Sequence, residues 1–197
     1  MSAVSLYLAS RSPRRREILD QIGVHYELVV GDIDETPNAG EIPEEYVTRM
    51  ACEKARAGLG AMQEACMVQR PVLAADTSVV VDGKILGKPA DREEAIAMLR
   101  ALAGRDHQVM TAVAVNDDDR LESRLSITRV LFNPLSEEQI ARYWETGEPR
   151  DKAGAYGIQG LGAVFVRELQ GSYSGVVGLP IAETVDLLDC FGVPYWQ

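Results

Sequence analysis

The segment 5–19 constrains the fold of this chain most, because an apolar stretch at residues 6–9 runs directly into a helix that opens with arginines. Pro13 after Ser12 is a strong helix start, with the serine as the predicted N-cap. A helix N-terminus carries a partial positive charge, so the arginines at 14–16 are unfavourable there unless an anion offsets them. The segment therefore predicts a polyphosphate site, and the alternative is a solvated arginine run on an exposed helix end.

The overall charge of the chain is opposite in sign to this basic cluster. With 20 Lys and Arg against 30 Asp and Glu, the 197 residues carry a formal net charge of −10. Duplex nucleic acid is therefore not an expected partner, because binding to it needs a basic surface. A local cluster of positive charge in an acidic protein instead suits a small anion.

The remaining composition predicts a cytoplasmic protein that does not enter a membrane. No apolar stretch approaches the roughly 20 residues of a membrane span. Arg11 interrupts the N-terminal apolar run too early for a signal peptide. The three cysteines are scattered, without disulfide or metal-ligand spacing, which indicates reduced thiols. His25 and His107 have no nearby second ligand, so we expect neither to bind a metal.

Helices and strands alternate along a chain long enough for one compact domain or two small lobes that share a core. Asp-Gly at 82–83 predicts a hairpin, and Ser136 with Gln139 has capping-box spacing. Strands joined by both hairpins and helices favour an α/β fold with a mixed sheet. The predicted strands are residues 6–9, 26–30, 72–75, 79–81, 84–86, 109–115, 121–131 and 163–168. The predicted helices begin at 13, 43, 92, 137 and 181, and irregular segments are expected at 32–35, 60–71 and 154–162.

Polar residues are predicted just after two buried strands, where sites form in α/β sheets. Ser10 follows the first strand, and Asp76 and Thr77 follow the strand predicted at 72–75. An aspartate in such an apolar run is costly to bury unpaired. We therefore interpret Asp76 as a carboxylate that orients a water or binds a metal, with a turn or cap aspartate as the alternative.

Further charged residues could complete a phosphate site. Lys54 and Lys88 are candidate phosphate ligands, and Asp34 or Glu35 could supply a second carboxylate. Each also has a plainer interpretation as a solvated side chain. Carboxylates, cations and a helix N-terminus together describe metal-assisted attack on a phosphoanhydride. The Walker phosphate loop is excluded, because Pro89 stands where its Ser or Thr is required.

The ordered series of these segments resembles the Maf (septum-inhibition) nucleotide pyrophosphatases. Each match is modest alone, but together they span about residues 6–180, so the whole chain 1–197 is expected to be a single Maf-like domain. The matching segments are residues 8–19, 53–55, 73–77, 86–89, 107–111, 148–160, 171–173 and 176–180.

The resemblance implies an elongated, two-lobed α/β fold similar to inosine triphosphate pyrophosphatases, with the active-site cleft between the lobes. It also implies hydrolysis of a nucleoside triphosphate to the monophosphate and pyrophosphate with a divalent cation, Mg²⁺ or Mn²⁺. On this basis Asp76 is the general base or a metal-linked carboxylate, Glu35 is its metal partner, and Lys54 and Lys88 are catalytic lysines. The implied polyphosphate ligands are Ser10, Arg14, Arg15 and the same two lysines.

The segment 155–159 resembles the branch of the family that acts on dTTP and UTP. Arg14, Thr77 and Gln159 fall where the family sets base specificity. A glutamine side chain presents one acceptor and two donors, which complement the edge of uracil or thymine. The resemblance is also compatible with a homodimer.

Other functions remain open from the sequence alone. A related enzyme could clear ITP, XTP or 7-methyl-GTP, and a substrate panel separates these from pyrimidine triphosphates. A regulator of septum formation that only binds nucleotide is the alternative from another class. A pure binder has no need of a catalytic base, so the carboxylates and lysines of the matching segments argue against it.

Overall fold

The computed structural model describes residues 4–197, which form a mixed seven-stranded sheet with helices on both faces. The strand order is β2-β1-β3-β5-β6-β7, and β4 pairs with β3 off this path. The strands are β1 Leu6–Leu8, β2 Tyr26–Leu28, β3 Val72–Val81, β4 Lys84–Leu86, β5 Asp106–Asn116, β6 Leu121–Phe132 and β7 Val166–Gln170. The helices are α1 Pro13–Gln21, α2 Pro43–Glu64, α3 Arg92–Leu102, α4 Glu137–Glu145, α5 Tyr173–Val177 and α6 Ile181–Cys190.

Pairing directions confirm the mixed sheet. β1 is parallel to both β2 and β3, whereas β3 is antiparallel to β4 and β5. β5, β6 and β7 continue as an antiparallel meander. The predicted hairpin joins β3 to β4, with Asp82 and Gly83 both at positive φ, as its tight turn requires.

Strand β3 runs through both lobes and contributes residues to the core of each. Its side chains alternate between the two faces of the sheet. On one face Leu73 and Ala75 belong to a hydrophobic cluster with α1 and α6, and Val79 belongs to another with α3 and α4. Thr77 lies between these two clusters on the same face. On the opposite face Ala74 packs with α2 in a third cluster. On the face of Thr77 the core is therefore divided, whereas the cluster on the opposite face is continuous from Val72 to Val80. The cleft predicted between the lobes lies at this division.

The structure corrects three predicted boundaries. Helix α2 continues through much of the expected connector 60–71, because Met62 lies at helical spacing and is buried against the sheet. Asp76 lies inside β3 rather than after it, since β5 pairs with β3 over its full central length. The first residues of the strand predicted at 163–168 form a 3₁₀ turn, Leu161–Phe165, and β7 begins only afterwards.

Two local predictions about helix ends have different outcomes. Ser136 and Gln139 form the predicted capping box at the start of α4. Ser12 occupies the N-cap position of α1, but its side chain makes no capping hydrogen bond. Its backbone N–H donates to Ser10 Oγ at 3.2 Å. Helix α5 was not predicted; its Ser172 cap accepts a hydrogen bond from Gly175 N. Across residues 4–197, no helix has the length and apolar character needed to cross a membrane.

Candidate active site

One edge of β3 is open at residues 74–78, and the candidate site is built there. β5 pairs with β3 from Val72 to Val80 along the opposite edge. On the open edge β1 reaches only Leu73 and β4 begins only at Val79, so no strand of the described chain covers the residues between. A cavity of about 740 Å³ lies at this gap, a volume typical of small-molecule sites.

Asp34, one of the two candidates for the second carboxylate, does not line the cavity, and its Oδ1 accepts a hydrogen bond from Thr36 N at 2.9 Å. The side chains that the resemblance assigned to a site all line this one cavity. They come from both lobes and from β3 between them, although they are spread over most of the chain. The structure brings together Ser10, Arg14, Arg15, Glu35, Lys54, Asp76, Thr77, Lys88 and Gln159.

Lys54 lies between the two candidate metal ligands. Its Nζ is 2.7 Å from Asp76 Oδ1 and 2.7 Å from Glu35 Oε1, so the two oxygens are no further apart than twice this distance. The side chains of Lys54 and Asp76 are 19% and 16% exposed, whereas Glu35 is 60% exposed. Hydrogen bonding to Lys54 outweighs partial burial and holds the pKa of Glu35 below its ordinary value. The Lys54 ammonium therefore bridges the two carboxylates.

Arg15 is engaged mainly by protein groups. Its Nε donates to Gly178 O at 2.8 Å, and its two terminal nitrogens donate to Ser10 Oγ at 3.1 Å and Thr77 Oγ1 at 3.3 Å. Thr111 Oγ1 in turn donates to Thr77 Oγ1 at 3.0 Å. Burial lowers the pKa of Arg15 from its ordinary value. Three of the five N–H groups of the guanidinium thus bind protein atoms. Arg15 therefore mainly connects α1 to β3 and to the backbone at Gly178.

Three other predicted residues present free side chains to the cavity. Arg14 is partly exposed, and Lys88 and Gln159 are exposed. Among residues 4–197 we find no hydrogen bond or ion pair that engages any of the three side chains. They are therefore the groups in the best position to meet a ligand.

The loop that carries Glu35 is fixed to α2. Tyr46 Oη donates to the carbonyl of Glu35 at 3.0 Å. Arg49 donates to both carboxylate oxygens of Glu41, at 2.6 and 2.7 Å, and to the carbonyl of Thr36 at 3.1 Å. A bidentate arginine–carboxylate pair has a defined geometry. Glu35 thus reaches Lys54 from a braced segment, although it is half exposed.

The sequence reasoning assigned no role to two charged residues of the cavity. Lys152 donates from Nζ to Asp151 Oδ1 at 2.8 Å and to the carbonyl of Glu148 at 2.8 Å. The ion pair with Lys152 holds the pKa of Asp151 below its ordinary value. Both residues lie in the matching segment 148–160, and that match was the only signal that could have found them.

Tyr156, also on the cavity wall, lies in the matching segment 148–160, but the sequence analysis assigned it no role. Its hydroxyl is hydrogen-bonded at 2.8 Å to Nε2 of the buried His107. The ring of Phe132 contacts both in edge-on geometry. This packing joins the loop after Lys152 to the core of the sheet.

Asp76 and Glu35 fit a magnesium or manganese ion that binds together with a phosphate ligand. In the described chain no group of three or more His, Cys, Asp or Glu side chains forms a closed metal site. Mg²⁺ is commonly held by one or two carboxylates, waters and substrate phosphates rather than by an all-protein cage. Two neighbouring carboxylates on an open cavity match that donor set.

Comparison with known proteins agrees with the resemblance. A family described as Maf-like protein matches residues 5–191. A protein of Saccharophagus degradans named dTTP/UTP pyrophosphatase is 54% identical over 198 residues, covering 100% of this chain and 93% of its own. A protein of the same name from Shigella dysenteriae is 52% identical over 187 residues, covering 95% and 93%.

A solved structure shares the fold at much lower sequence similarity. It is the Staphylococcus aureus Ham1 protein, with a TM-score of 0.50 and 16% identity, and the match covers 95% of this chain and 97% of that one. This likeness concerns the fold alone. The family match over nearly the whole length, and relatives above 50% identity, show that this chain belongs to the Maf-like protein family.

Proposed function

We propose that this protein hydrolyses dTTP and UTP to the nucleoside monophosphate and pyrophosphate. The observation that carries the proposal is the Glu35–Lys54–Asp76 cluster at the open edge of β3, which lines one cavity together with the free cations Arg14 and Lys88. Relatives above 50% identity bear the name of this activity. We also propose a single catalytic domain over 1–197, and the family match over residues 5–191 supports it.

The triphosphate meets the cations first. Arg14 and Lys88 are free to contact phosphate oxygens, and the start of α1 adds backbone N–H groups beyond Pro13. The N–H of Ser12 is not among them, because Ser10 already accepts its hydrogen bond. The local positive charge attracts a polyphosphate in spite of the acidic net charge of the chain.

Asp76 then acts on the attacking water. Its carboxylate orients or deprotonates the water, whose oxygen forms a new bond to the α-phosphorus. The bond between the α-phosphorus and its bridging oxygen breaks, and pyrophosphate leaves with the bonding electrons. The proton of the water passes to Asp76 and then to solvent. Lys54 holds the Asp76 carboxylate in place for this step through a hydrogen bond of 2.7 Å.

Glu35 and Asp76 would hold a divalent metal ion. Such an ion would neutralise the phosphate charge that develops during the reaction. Lys88 lines the same cavity, and its positive charge adds to the effect of Lys54 in holding the pKa of Glu35 below its ordinary value. The protein groups therefore supply the water position and the fixed cations.

Gln159 is the proposed reader of the base. Its exposed side chain lines the cavity without a protein partner in the described chain. The amide can pair with the oxygen and N–H edge of uracil or thymine. Arg14 and Thr77, which the resemblance assigns to specificity, lie on the same cavity.

A panel of nucleoside triphosphates tests the proposed function. Each canonical substrate, with ITP, XTP and 7-methyl-GTP, is incubated with Mg²⁺ or Mn²⁺, and pyrophosphate and phosphate are measured separately. We expect pyrophosphate from dTTP and UTP above all others. Preference for a purine substrate would refute the specificity, and nucleotide binding without turnover would refute the enzyme.

We also propose a cytoplasmic location, which rests on the free thiols of Cys52, Cys66 and Cys190. Labelling of the thiols in intact cells and fractionation test it. The resemblance is compatible with a homodimer, and light scattering of the purified protein decides this point.

A further inference from the structure

The turn that carries Gln159 is held by hydrogen bonds to two side chains that do not line the cavity, Glu148 and Tyr143. We define the Gln159 turn as residues 157–162. Gly160 N donates to Gly157 O at 3.2 Å, which closes the turn around Ile158 and Gln159. Ile158 is buried, whereas Gln159 is exposed at the cavity.

Glu148 binds the far end of the turn. Its Oε2 accepts a hydrogen bond from Leu161 N at 2.8 Å, and its Oε1 accepts one from Gly162 N at 3.0 Å. The same Oε1 accepts a third hydrogen bond from Tyr143 Oη at 2.6 Å. One carboxylate thus satisfies the first two N–H groups of the 3₁₀ turn Leu161–Phe165, as an N-terminal cap does.

Tyr143 holds the near end of the same turn. Its hydroxyl accepts a hydrogen bond from Gly157 N at 3.1 Å while it donates to Glu148. Both ends of the Gln159 turn therefore converge on one hydrogen-bonded pair, one member on α4 and the other just after it. No other side chain in the described chain binds these three backbone N–H groups.

The glycines of the turn fit closely around this pair. A Cβ at Gly160 would overlap the Glu148 carboxylate, and one at Gly162 would lie 2.6 Å from Tyr143 Oη. The backbone approaches the two side chains as closely as glycine allows. The position of the turn is therefore set by its hydrogen bonds and close contacts with Glu148 and Tyr143.

Glu148 is ionised in this arrangement. Burial opposes the charge, but the hydrogen bonds from Tyr143, Gly162 and Leu161 outweigh it and hold the pKa of Glu148 below its ordinary value. The carboxylate itself is not part of the cavity wall. The Glu148 side chain therefore acts on a nucleotide indirectly, through the turn and through its charge interaction with Lys152 on the cavity wall.

We propose that Glu148, with Tyr143, is a positioning residue for base selection, which holds Gln159 where it can read the pyrimidine edge. The inference rests on the proposed function. A carboxylate is suited to the role because it only accepts hydrogen bonds, and all three of its neighbours donate. A glutamine would turn its NH₂ group toward one of those donors and release one side of the turn.

UTP and CTP provide the test, because they differ only at the base edge that Gln159 would contact. The kcat/KM of each is measured for the wild type, Glu148→Gln, Tyr143→Phe, Gln159→Ala and the double variant Glu148→Gln/Gln159→Ala. Glu138→Gln is the matched control, since Glu138 is an exposed α4 carboxylate paired only with Arg142, at 3.8 Å. Thermal unfolding of each variant is recorded in parallel.

We expect the ratio of kcat/KM for UTP over CTP to fall about tenfold in Glu148→Gln and in Gln159→Ala, and no further in the double variant. Tyr143→Phe should lower the ratio in the same direction, and it supplies the test if Glu148→Gln fails to fold. Glu138→Gln should keep the wild-type ratio.

Two results would overturn the inference while leaving the proposed function intact. If Glu148→Gln and Tyr143→Phe lower activity on both nucleotides equally, the pair has only a structural role. If the UTP-to-CTP ratio falls in Glu148→Gln and Tyr143→Phe but not in Gln159→Ala, a group of the turn other than Gln159 contacts the base. A wild type without preference for UTP would instead contradict the proposed specificity itself, and the inference with it.

Discussion

Lys54 shows how a single side chain can prepare the chemistry of this site. It contacts Asp76 and Glu35 at 2.7 Å each, from a helix that packs on the opposite face of β3 from Arg15. Two carboxylates this close would repel each other without the ammonium between them. Lys54 therefore holds the Asp76 carboxylate in place at the cavity.

Asp76→Asn should abolish turnover and leave the fold intact. The amide keeps the shape of the side chain but cannot take a proton from water, so we expect kcat to fall by about 10²–10⁴. Pyrophosphate release gives the rate, and the thermal shift on adding dTTP reports whether nucleotide still binds. Asp82→Asn, in the β3–β4 turn, is the control because asparagine accepts its positive φ. An Asp76→Asn enzyme with wild-type turnover would remove Asp76 from the mechanism.

His107 makes the stability of the protein depend on pH. Burial lowers its pKa to about 4, while the attraction of Asp106 acts in the opposite direction. The unfolded chain takes up the proton near the ordinary value of 6.5, so the free energy of unfolding falls as pH drops from about 6.5 to about 4. The loss reaches at most about 3 kcal/mol for this one group.

Urea unfolding of the wild type and His107→Gln at pH 7 and pH 4.5 measures this contribution. Glutamine does not titrate, so the variant should lose less stability than the wild type over this range. At pH 7 the variant is expected to be the less stable, because the packing of His107 against Phe132 and its hydrogen bond to Tyr156 are altered. Equal losses in the two proteins would show that His107 has an ordinary pKa in the fold.

At the scale of elements, local signals predicted much of the fold. The Asp-Gly turn and the capping box of α4 lie where the sequence placed them, because both are set by neighbouring residues. The end of α2 and the full length of β3 were not predicted, because tertiary contacts decide them. Met62 extends α2 by packing on the sheet, and pairing with β5 carries β3 through Asp76.

Helix α2 contains two glycines that should respond in opposite ways to alanine. A Cβ at Gly58 would lie 2.8 Å from Ala9 Cβ and from Val72 Cγ1, whereas a Cβ at Gly60 meets nothing within 4 Å. Gly58→Ala should destabilise the protein by about 1–3 kcal/mol through overpacking. Gly60→Ala should stabilise it by about 0.5–1 kcal/mol through helix propensity.

Denaturant midpoints of the two glycine variants check this difference directly. The pair is internally controlled, since both substitutions add the same methyl group to the same helix. A stabilising Gly58→Ala would mean that α2 can move away from β1 and β3 at little cost. The site would then be less rigid than the contacts of Lys54 indicate.

At the scale of the whole molecule, the sequence predicted which residues meet but not how they are arranged. The resemblance assigned Glu35, Lys54 and Asp76, and the fold brings them together at the open edge of β3. The bridging place of Lys54 and the bracing role of Arg15 depend on distances across the sheet, which no local pattern encodes. Glu148 lies in the matching segment 148–160, but the sequence analysis assigned it no role. Its contacts are with the backbone N–H groups of Leu161 and Gly162, which no local pattern around Glu148 indicates.

Metal removal should stop the reaction without unfolding the protein. The described chain has no closed cluster of metal-binding side chains, so a resident ion is not expected to support the fold. We expect EDTA to abolish pyrophosphate release from dTTP, Mg²⁺ or Mn²⁺ to restore it, and the melting temperature of the free protein to stay the same. Turnover that persists after exhaustive chelation would contradict a metal role for Glu35 and Asp76.

Hydrolysis of dTTP in ¹⁸O-labelled water tests the central claim most directly. Water aimed by Asp76 at the α-phosphorus places its oxygen on that atom. Mass spectrometry of both products should therefore find the label in dTMP and none in the pyrophosphate. Label in the pyrophosphate would mean attack at the β-phosphorus and would contradict the assignment of Asp76, and release of single phosphates would contradict the proposed reaction altogether.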